Sequence, residues 1–182
     1  MDNYFPKSSS GMTLIEVMMV LAIVGVLTAL AAPSFTSTTR KFRALGEANA
    51  LAGDLQFARS EALKQGAPIT ICASASPAGP TATCSGANTW HTGWIVYSVN
   101  AAGTQTVLKI QKAFSATDTL LTDSGASSLT YSGDGFATGL PDTGSILFTV
   151  DSTPPDPNAK QCVLINKAGR QKTLTAGKES CV

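Results

Sequence analysis

Residues 11–35 read GMTLIEVMMVLAIVGVLTALAAPSF. From Met12 to Ala32, a run of 21 residues, the only ionisable side chain is Glu16. About 20 apolar residues are enough to cross the hydrocarbon core of a bilayer, so this run predicts one membrane segment. After residue 35 the chain becomes polar and has no second apolar run of this length. We therefore expect one anchor followed by one soluble domain.

The residues before the apolar run, MDNYFPKSSSG, contain a single basic side chain, Lys7. A secretory signal peptide is the ordinary explanation of such a leader. Signal peptides, however, normally end in an A-x-A cleavage site. The nearest match is residues 29–31, and cleavage there would remove the start of the helix that follows. Glu16 is also unusual, because a carboxylate at the bilayer centre costs at least about 2.5–3.5 kcal/mol. It therefore requires either a partner or a position at the membrane interface.

The heptapeptide GMTLIEV at residues 11–17 resembles the cleavage and methylation motif of type IV prepilins. The resemblance implies that a prepilin peptidase cuts between Gly11 and Met12 and that Met12 is N-methylated, although the family usually has Phe at this position. In a filament, the carboxylate of Glu16 would then neutralise the new amino group of a neighbouring subunit. Such an arrangement is reasonable because buried opposite charges are tolerated only when they are paired.

Pro33 follows the apolar run at a position where pilins often have a proline that kinks the helix. The alternative interpretation is that Pro33 marks the start of a new helix. Beyond it, apolar residues recur at helical spacing and predict one buried stripe, which contains Phe42, Leu45, Ala48, Leu51, Leu55, Ala58, Ala62 and Leu63. The charged residues fall largely off this stripe; they are Arg40, Lys41, Arg43, Glu47, Asp54 and Glu61. We expect a helix from about Thr13 to Gln65, capped by Gly66.

After Gly66 the pattern changes to short runs rich in Val, Ile, Thr and aromatic residues, separated by Gly, Pro, Asn and Asp. These runs predict seven strands, at residues 69–74, 94–99, 106–113, 128–131, 145–150, 161–166 and 170–175. The expected architecture is an α+β domain in which antiparallel sheets pack on the helix. The predicted organisation is a leader at 1–11, a membrane helix at 12–35, an amphipathic helix at 36–66 and a β-rich domain at 67–182.

Two further segments resemble the GspH/FimT group of pilin-like proteins: QFARSEA at residues 56–62 followed by APITIC at 67–72, and Trp90 followed by GWIVY at 93–97. The resemblance implies a type IV pilin-like fold and a minor pilin of type IV pili, FimT- or FimU-like, or a minor pseudopilin of type II secretion. Such a subunit primes or caps a filament together with other pilins. It starts in the bacterial inner membrane, with its C-terminal domain in the periplasm.

The four cysteines form no zinc-binding pattern, because no pair is spaced C-x2-C and His91 is the only histidine. An even number of cysteines behind an export segment favours disulfides, for which three pairings are possible. The short loops favour Cys72–Cys84 and Cys162–Cys181.

No catalytic triad, phosphate-binding loop or dinucleotide motif is present in the sequence, and the six Asp residues of the middle region are dispersed. We therefore expect no enzyme activity, no metal, no cofactor and no small-molecule substrate. Trp90 and Trp94 are expected to pack in the core. Arg59 and Glu61 are expected on a solvated or strand-facing side of the helix, with a small ion-pair contribution.

Residues 160–182 contain five Lys or Arg side chains against one Glu. A hairpin around residues 167–169 would bring several of them together. FimT-type pilins that bind DNA have a glycine-arginine-x-arginine motif near the C-terminus, and GRQK at residues 169–172 resembles it with Lys in place of the second Arg. This resemblance implies a double-stranded DNA site at Lys167, Arg170, Lys172 and Lys178. The alternatives are a solvated hairpin or a contact to another subunit.

Overall fold

The computed structural model describes residues 11–114, 117–177 and 181. The chain divides into two compact units, Met1–Ser37 and Thr38–Val182. Helix α1 covers Leu14–Gln65 and contributes to both. The nine strands are β1 Ile69–Ala73, β2 Gly93–Val99, β3 Gln105–Lys112, β4 Thr119–Thr122, β5 Ser128–Tyr131, β6 Ala137–Thr138, β7 Ser145–Asp151, β8 Gln161–Asn166 and β9 Gln171–Thr175; a short 3₁₀ helix, Trp90–Thr92, precedes β2.

In the first unit, α1 begins behind Thr13, whose side-chain Oγ1 accepts a hydrogen bond from the Glu16 amide at 3.4 Å. The helix continues through Pro33, so the backbone does not unwind at that residue. The large apolar side chains between Met12 and Leu27 are exposed in the isolated chain. Among the described residues, no helix meets the length and hydropathy that a membrane-crossing segment requires.

In the second unit, the strands form two antiparallel sheets. One has five strands in the order β3-β2-β1-β5-β6, and the other has four in the order β4-β7-β8-β9. The seven strands expected from the sequence are present, with ends that differ by one residue in most cases. Strands β4 and β6 were not expected, because four and two residues are too short to show an alternating pattern. The α+β architecture is confirmed.

The core lies between α1 and the inner faces of both sheets. The helix contributes one fully buried stripe of small and branched residues, namely Ala44, Ala48, Leu51, Leu55, Ala58 and Ala62. Opposite it, the Trp90 ring packs edge-on against Phe148 with 5.0 Å between ring centroids. The Trp90 indole N–H donates to the Ala126 carbonyl at 2.9 Å, so its polar atom is satisfied inside the core. Trp90 and Trp94 are both fully buried, as expected.

Three helix residues differ from the expected stripe. Phe42 and Leu63 are 67% and 53% exposed, so their assignment to the buried face is wrong. Both lie on the opposite face of α1, which the sheets do not cover. Asp54, expected off the stripe, is only 3% exposed because it has polar partners within the sheet.

Both expected disulfides form, and each lies on the outer face of one sheet. Cys72–Cys84 holds the loop after β1 over the five-stranded sheet, in a small cluster with Ile95. Cys162–Cys181 lies on the four-stranded sheet beside Leu174. Each bond therefore covers apolar side chains that the helix cannot reach, because alternate residues of a strand point to opposite faces.

Candidate functional site

The N-terminal motif lies at the exposed start of α1. Gly11, Met12 and Glu16 are all exposed, and Glu16 belongs to the first helical turn. A carboxylate in this position interacts favourably with the positive end of the helix dipole. The leader, residues 1–10, lies outside the described part of the chain. Met12 and Glu16 are therefore left uncovered by the part of the chain that the structure describes.

Thr13 was missed as a helix cap although the sequence contained the signal. Thr13 and Glu16 have the S/T-x-x-E spacing of a capping box, in which the first side chain accepts a hydrogen bond from the backbone of the fourth residue. The structure has this half of the box, at 3.4 Å. The motif that resembles a processing site is therefore also the place where the helix starts.

The uncovered face of α1 in the second unit carries a row of uncharged residues, and the exposed Lys64 lies beside the end of this row. The row consists of residues at alternating spacings of four and three, namely Phe42, Gly46, Asn49, Gly53, Gln56, Ser60 and Leu63, and all are exposed. We call this set the exposed stripe. No atom lies within 4 Å of a Cβ built on Gly46 or Gly53, so the surface there is open. A solvated helix face is normally charged, whereas this one is suited to close approach by another helix.

Two charged residues on this part of α1, Arg43 and Asp54, bind partners in or beside the sheets instead. Arg43 donates two hydrogen bonds to the Asp118 carboxylate, at 2.5 and 2.8 Å, and Asp118 also accepts the Thr153 amide at 2.8 Å. The hydrogen bonds to Asp118 raise the pKa of Arg43. One turn further on, burial raises the pKa of Glu47 to about 7, with a further increase from Asp118 and an opposing effect of Arg43.

Asp54 is the second polar link between the helix and the sheets. Its carboxylate accepts a hydrogen bond from the Trp94 indole N–H at 2.9 Å and pairs with the Lys109 ammonium at 2.5 Å. The same ammonium lies 5.4 Å from the centre of the Phe57 ring. Because its charge is paired and hydrogen-bonded, the buried carboxylate is tolerated inside the core.

The predicted hairpin is formed by β8 and β9, with Leu164 opposite Lys172. Its turn is fixed by Gly169, whose φ of +71° suits glycine and whose amide donates to the Asn166 carbonyl at 2.8 Å. Lys167, Arg170 and Lys172 are all exposed at or near this turn. Of the other basic residues in this region, Lys160 lies 3.5 Å from Asp151, away from the turn, and Lys178 lies outside the described residues.

Arg59 has a larger role than the sequence indicated. Its guanidinium donates to the Gly135 carbonyl at 3.1 Å and to the Ala168 carbonyl at 3.0 Å. Arg59 thus lies on the strand-facing side of the helix, one of the two expected alternatives, and its side chain ties the β5–β6 turn and the β8–β9 turn to the helix. The two turns are in contact, since a Cβ on Gly169 would lie 2.2 Å from the Gly135 carbonyl oxygen. Glu61 instead interacts with Lys64 and Gln65 on the helix.

His91 lies in the 3₁₀ helix that precedes β2. Among residues 11–114, 117–177 and 181, no group of three or more His, Cys, Asp or Glu side chains is arranged to hold a metal ion.

Comparison with known proteins agrees with the geometry. The family model of the type II transport protein GspH matches residues 47–169, and the model of the prokaryotic N-terminal methylation motif matches residues 6–32. A search of curated protein sequences finds no match.

Two crystal structures of the type IV minor pilin FimU from Pseudomonas aeruginosa are similar in fold. In the first, the TM-score is 0.58 at 26% identity, over 81% of this chain and 99% of the FimU chain. In the second, the TM-score is 0.55 at 25% identity, over 76% and 98%. The match to the GspH family spans more than half of the residues and the fold is that of type IV pilins, so the chain belongs to the GspH family of type IV minor pilin-like proteins.

Proposed function

We propose that this protein is a structural subunit that primes or caps a type IV filament, either a pilus or the pseudopilus of type II secretion. One observation carries the proposal: the apolar side chains at the start of α1, from Met12 to Leu27, are uncovered in the chain. Burying such side chains contributes about 25 cal/mol per Å² of apolar surface, so they require another apolar environment. A membrane supplies it before assembly, and other pilins supply it afterwards.

The exposed stripe extends the same argument into the second unit. Its two glycines, Gly46 and Gly53, allow the backbone of a neighbouring helix to come close. None of its seven residues is charged, so docking would leave no unpaired charge behind. The proposed partners are therefore other pilin-like subunits, and the proposed role is structural rather than catalytic.

Processing is the first step of this proposal and can be tested directly. Intact-mass measurement of the protein from its native host should give a chain that begins at Met12, heavier by one methyl group. A Gly11→Asp variant should keep its leader, whereas Lys7→Ala should be cut normally. A native protein that retains residues 1–11 would contradict the proposal.

A second candidate function is binding of double-stranded DNA at a pilus tip. It is favoured by the hairpin turn, which exposes Lys167, Arg170 and Lys172 on a support fixed by Arg59. Arg170 directly precedes the edge strand β9, and Lys172 is the second residue of that strand; both line one shallow cleft. Contacts of this kind to phosphates are independent of sequence and weaken steeply with salt.

Gel retardation of a DNA duplex by the full-length chain in nonionic detergent tests this function. We expect binding at low salt that is weakened by Arg170→Ala and by Lys172→Ala. Lys112→Ala is the matched control, because Lys112 is an exposed lysine on strand β3 of the other sheet. No retardation by the wild-type chain at low salt would remove this candidate.

A further inference from the structure

Phe136 is an exposed aromatic residue that the fold does not explain. It is 54% exposed, although its neighbours Gly135 and Ala137 are buried. Leu63 of α1 lies on the other side of Gly135, about 3 Å from a Cβ built there, and is also exposed. Aromatic side chains carry a large apolar surface, so a ring that is exposed to water commonly contacts a ligand or a partner protein.

The backbone presents Phe136 on a rigid turn. The Phe136 carbonyl accepts the Ser132 amide at 2.9 Å, and the Gly135 amide donates to the Ser132 carbonyl at 2.8 Å. The Gly135 carbonyl is in turn held by Arg59. Because hydrogen bonds hold the backbone on both sides of the ring, little backbone entropy remains to be lost when a ligand packs on the ring.

The same turn lies directly against the basic hairpin. The Ala137 amide donates to the Lys167 carbonyl at 3.1 Å, which places Phe136 next to Lys167 along the two backbones. Arg170 follows at the end of the hairpin turn. Two carboxylates also lie near this surface: Asp134 belongs to the same turn as Phe136, and Asp142 shares a cleft with Lys167. The apolar ring therefore lies within a mixed surface of basic and acidic side chains, not at the centre of an apolar patch.

We propose that Phe136 is a stacking platform for an unpaired base, so that this surface binds single-stranded nucleic acid as well as the duplex. Lys167 and Arg170 would contact phosphates while the ring stacks on a base between them. Aromatic stacking together with basic backbone contacts is the general chemistry of single-strand binding. In a duplex the base faces are already stacked on one another, so the ring has nothing to bind. This inference rests on the second candidate function and adds the single strand to its ligands.

Fluorescence anisotropy can test the proposal with a labelled single strand and a duplex of the same sequence, titrated with the full-length chain in nonionic detergent at one fixed salt concentration. We expect Phe136→Ala to weaken binding of the single strand by about fivefold or more and to leave binding of the duplex unchanged. Phe136→Trp should restore single-strand binding, because tryptophan offers a larger face. Arg170→Ala should weaken the binding of both ligands.

The matched control is Leu121→Ala, which removes another exposed apolar side chain from β4, at the opposite edge of the four-stranded sheet from β9, and should change neither affinity. If the wild-type chain binds neither ligand, the second candidate function fails and the inference fails with it. If the chain binds the duplex but Phe136→Ala leaves the single strand unaffected, DNA binding stands and the stacking role is overturned. Unchanged affinities together with lost filament assembly in Phe136→Ala would assign the ring to a subunit contact instead.

Discussion

Both parts of helix α1 contain large apolar side chains, but these side chains have different surroundings in the two parts. In the second unit, residues such as Leu51 and Leu55 are completely buried by the two sheets. In the first unit, residues such as Leu21 and Leu27 are 64% and 60% exposed. Apolar periodicity therefore predicts that a helix face will be covered, but it does not say whether the cover comes from the same chain. Here the first part of the helix depends on something outside the chain.

The largest expected effect on stability comes from shortening a leucine in the buried part, compared with the same change in the exposed part. Leu51→Ala should destabilise the second unit by about 3 kcal/mol, because it leaves a cavity in a packed core. This corresponds to a fall in Tm of roughly 6–12 °C for a domain of this size. Leu21→Ala should leave the Tm unchanged. Thermal unfolding followed by Trp90 and Trp94 fluorescence measures both, and equal losses would contradict the comparison.

Asp54 tests whether the covered part also depends on its buried polar link. Asp54→Ala should cost about 2 kcal/mol, since it leaves the buried Trp94 indole N–H without an acceptor and removes the partner of Lys109. Asp54→Asn should cost less, because its amide oxygen can still accept the indole hydrogen bond. Glu61→Ala, which removes a contact made only along the helix surface, should be without measurable effect. If Asp54→Ala were equally harmless, the link would not contribute to stability.

Glu47 should make the stability of the second unit depend on pH. Its pKa is raised from 4.5 to about 7 in the folded chain, so the folded state binds more protons than the unfolded state between these values. Stability should therefore fall as pH rises from about 4.5 to about 7, and level off above. Because the carboxyl is only half-buried, Glu47→Gln should gain about 1 kcal/mol at pH 8 and little at pH 4.

Unfolding midpoints measured across this pH range give the difference in stability between the wild type and Glu47→Gln. Glu61→Gln is the control, because hydrogen bonds from Gln65 and Lys64 lower the pKa of Glu61 instead. A difference between the wild type and Glu47→Gln that does not change with pH would contradict the assignment.

The smallest effect on stability should come from the exposed stripe. Gly53→Ala and Gly53→Gln should each raise stability by about 0.5–1 kcal/mol, because both residues form helix better than glycine and the space at Gly53 is open. Only the longer side chain should interfere with a helix packed on the stripe. We therefore expect Gln, but not Ala, to reduce recovery in filaments, and equal recovery of both variants would argue against packing there.

The sequence predicted those features that depend on local pattern. The helix end at Gly66 follows from a glycine that adopts a φ of +60°, and the hairpin follows from its turn residues. The exposure of Phe42 and Leu63 could not be predicted, because α1 has apolar residues on two faces and only the position of the sheets selects one. Similarly, Asp54 is buried by partners 40 and 55 residues away in the sequence.

The candidate site was predicted in part. The basic residues at 167, 170 and 172 were found from composition and motif, and the structure places them at one turn. Arg59 was missed as their support, because its acceptors are carbonyl groups of two distant turns and backbone acceptors carry no sequence signal. Phe136 was missed for a related reason. Its position beside Lys167 depends on a contact between two turns that are 30 residues apart in the sequence.

The central claim is that the uncovered start of α1 is completed by other subunits, with Glu16 paired to an amino group there. The most direct measurement is the fraction of the mature chain recovered with sheared filaments from the native host, for the wild type and for Glu16→Gln. We predict that Gln, which keeps the shape but not the charge, lowers this fraction about tenfold or more. The amount in the membrane and the Tm of the second unit should not change. Equal recovery of both chains in filaments would contradict the account.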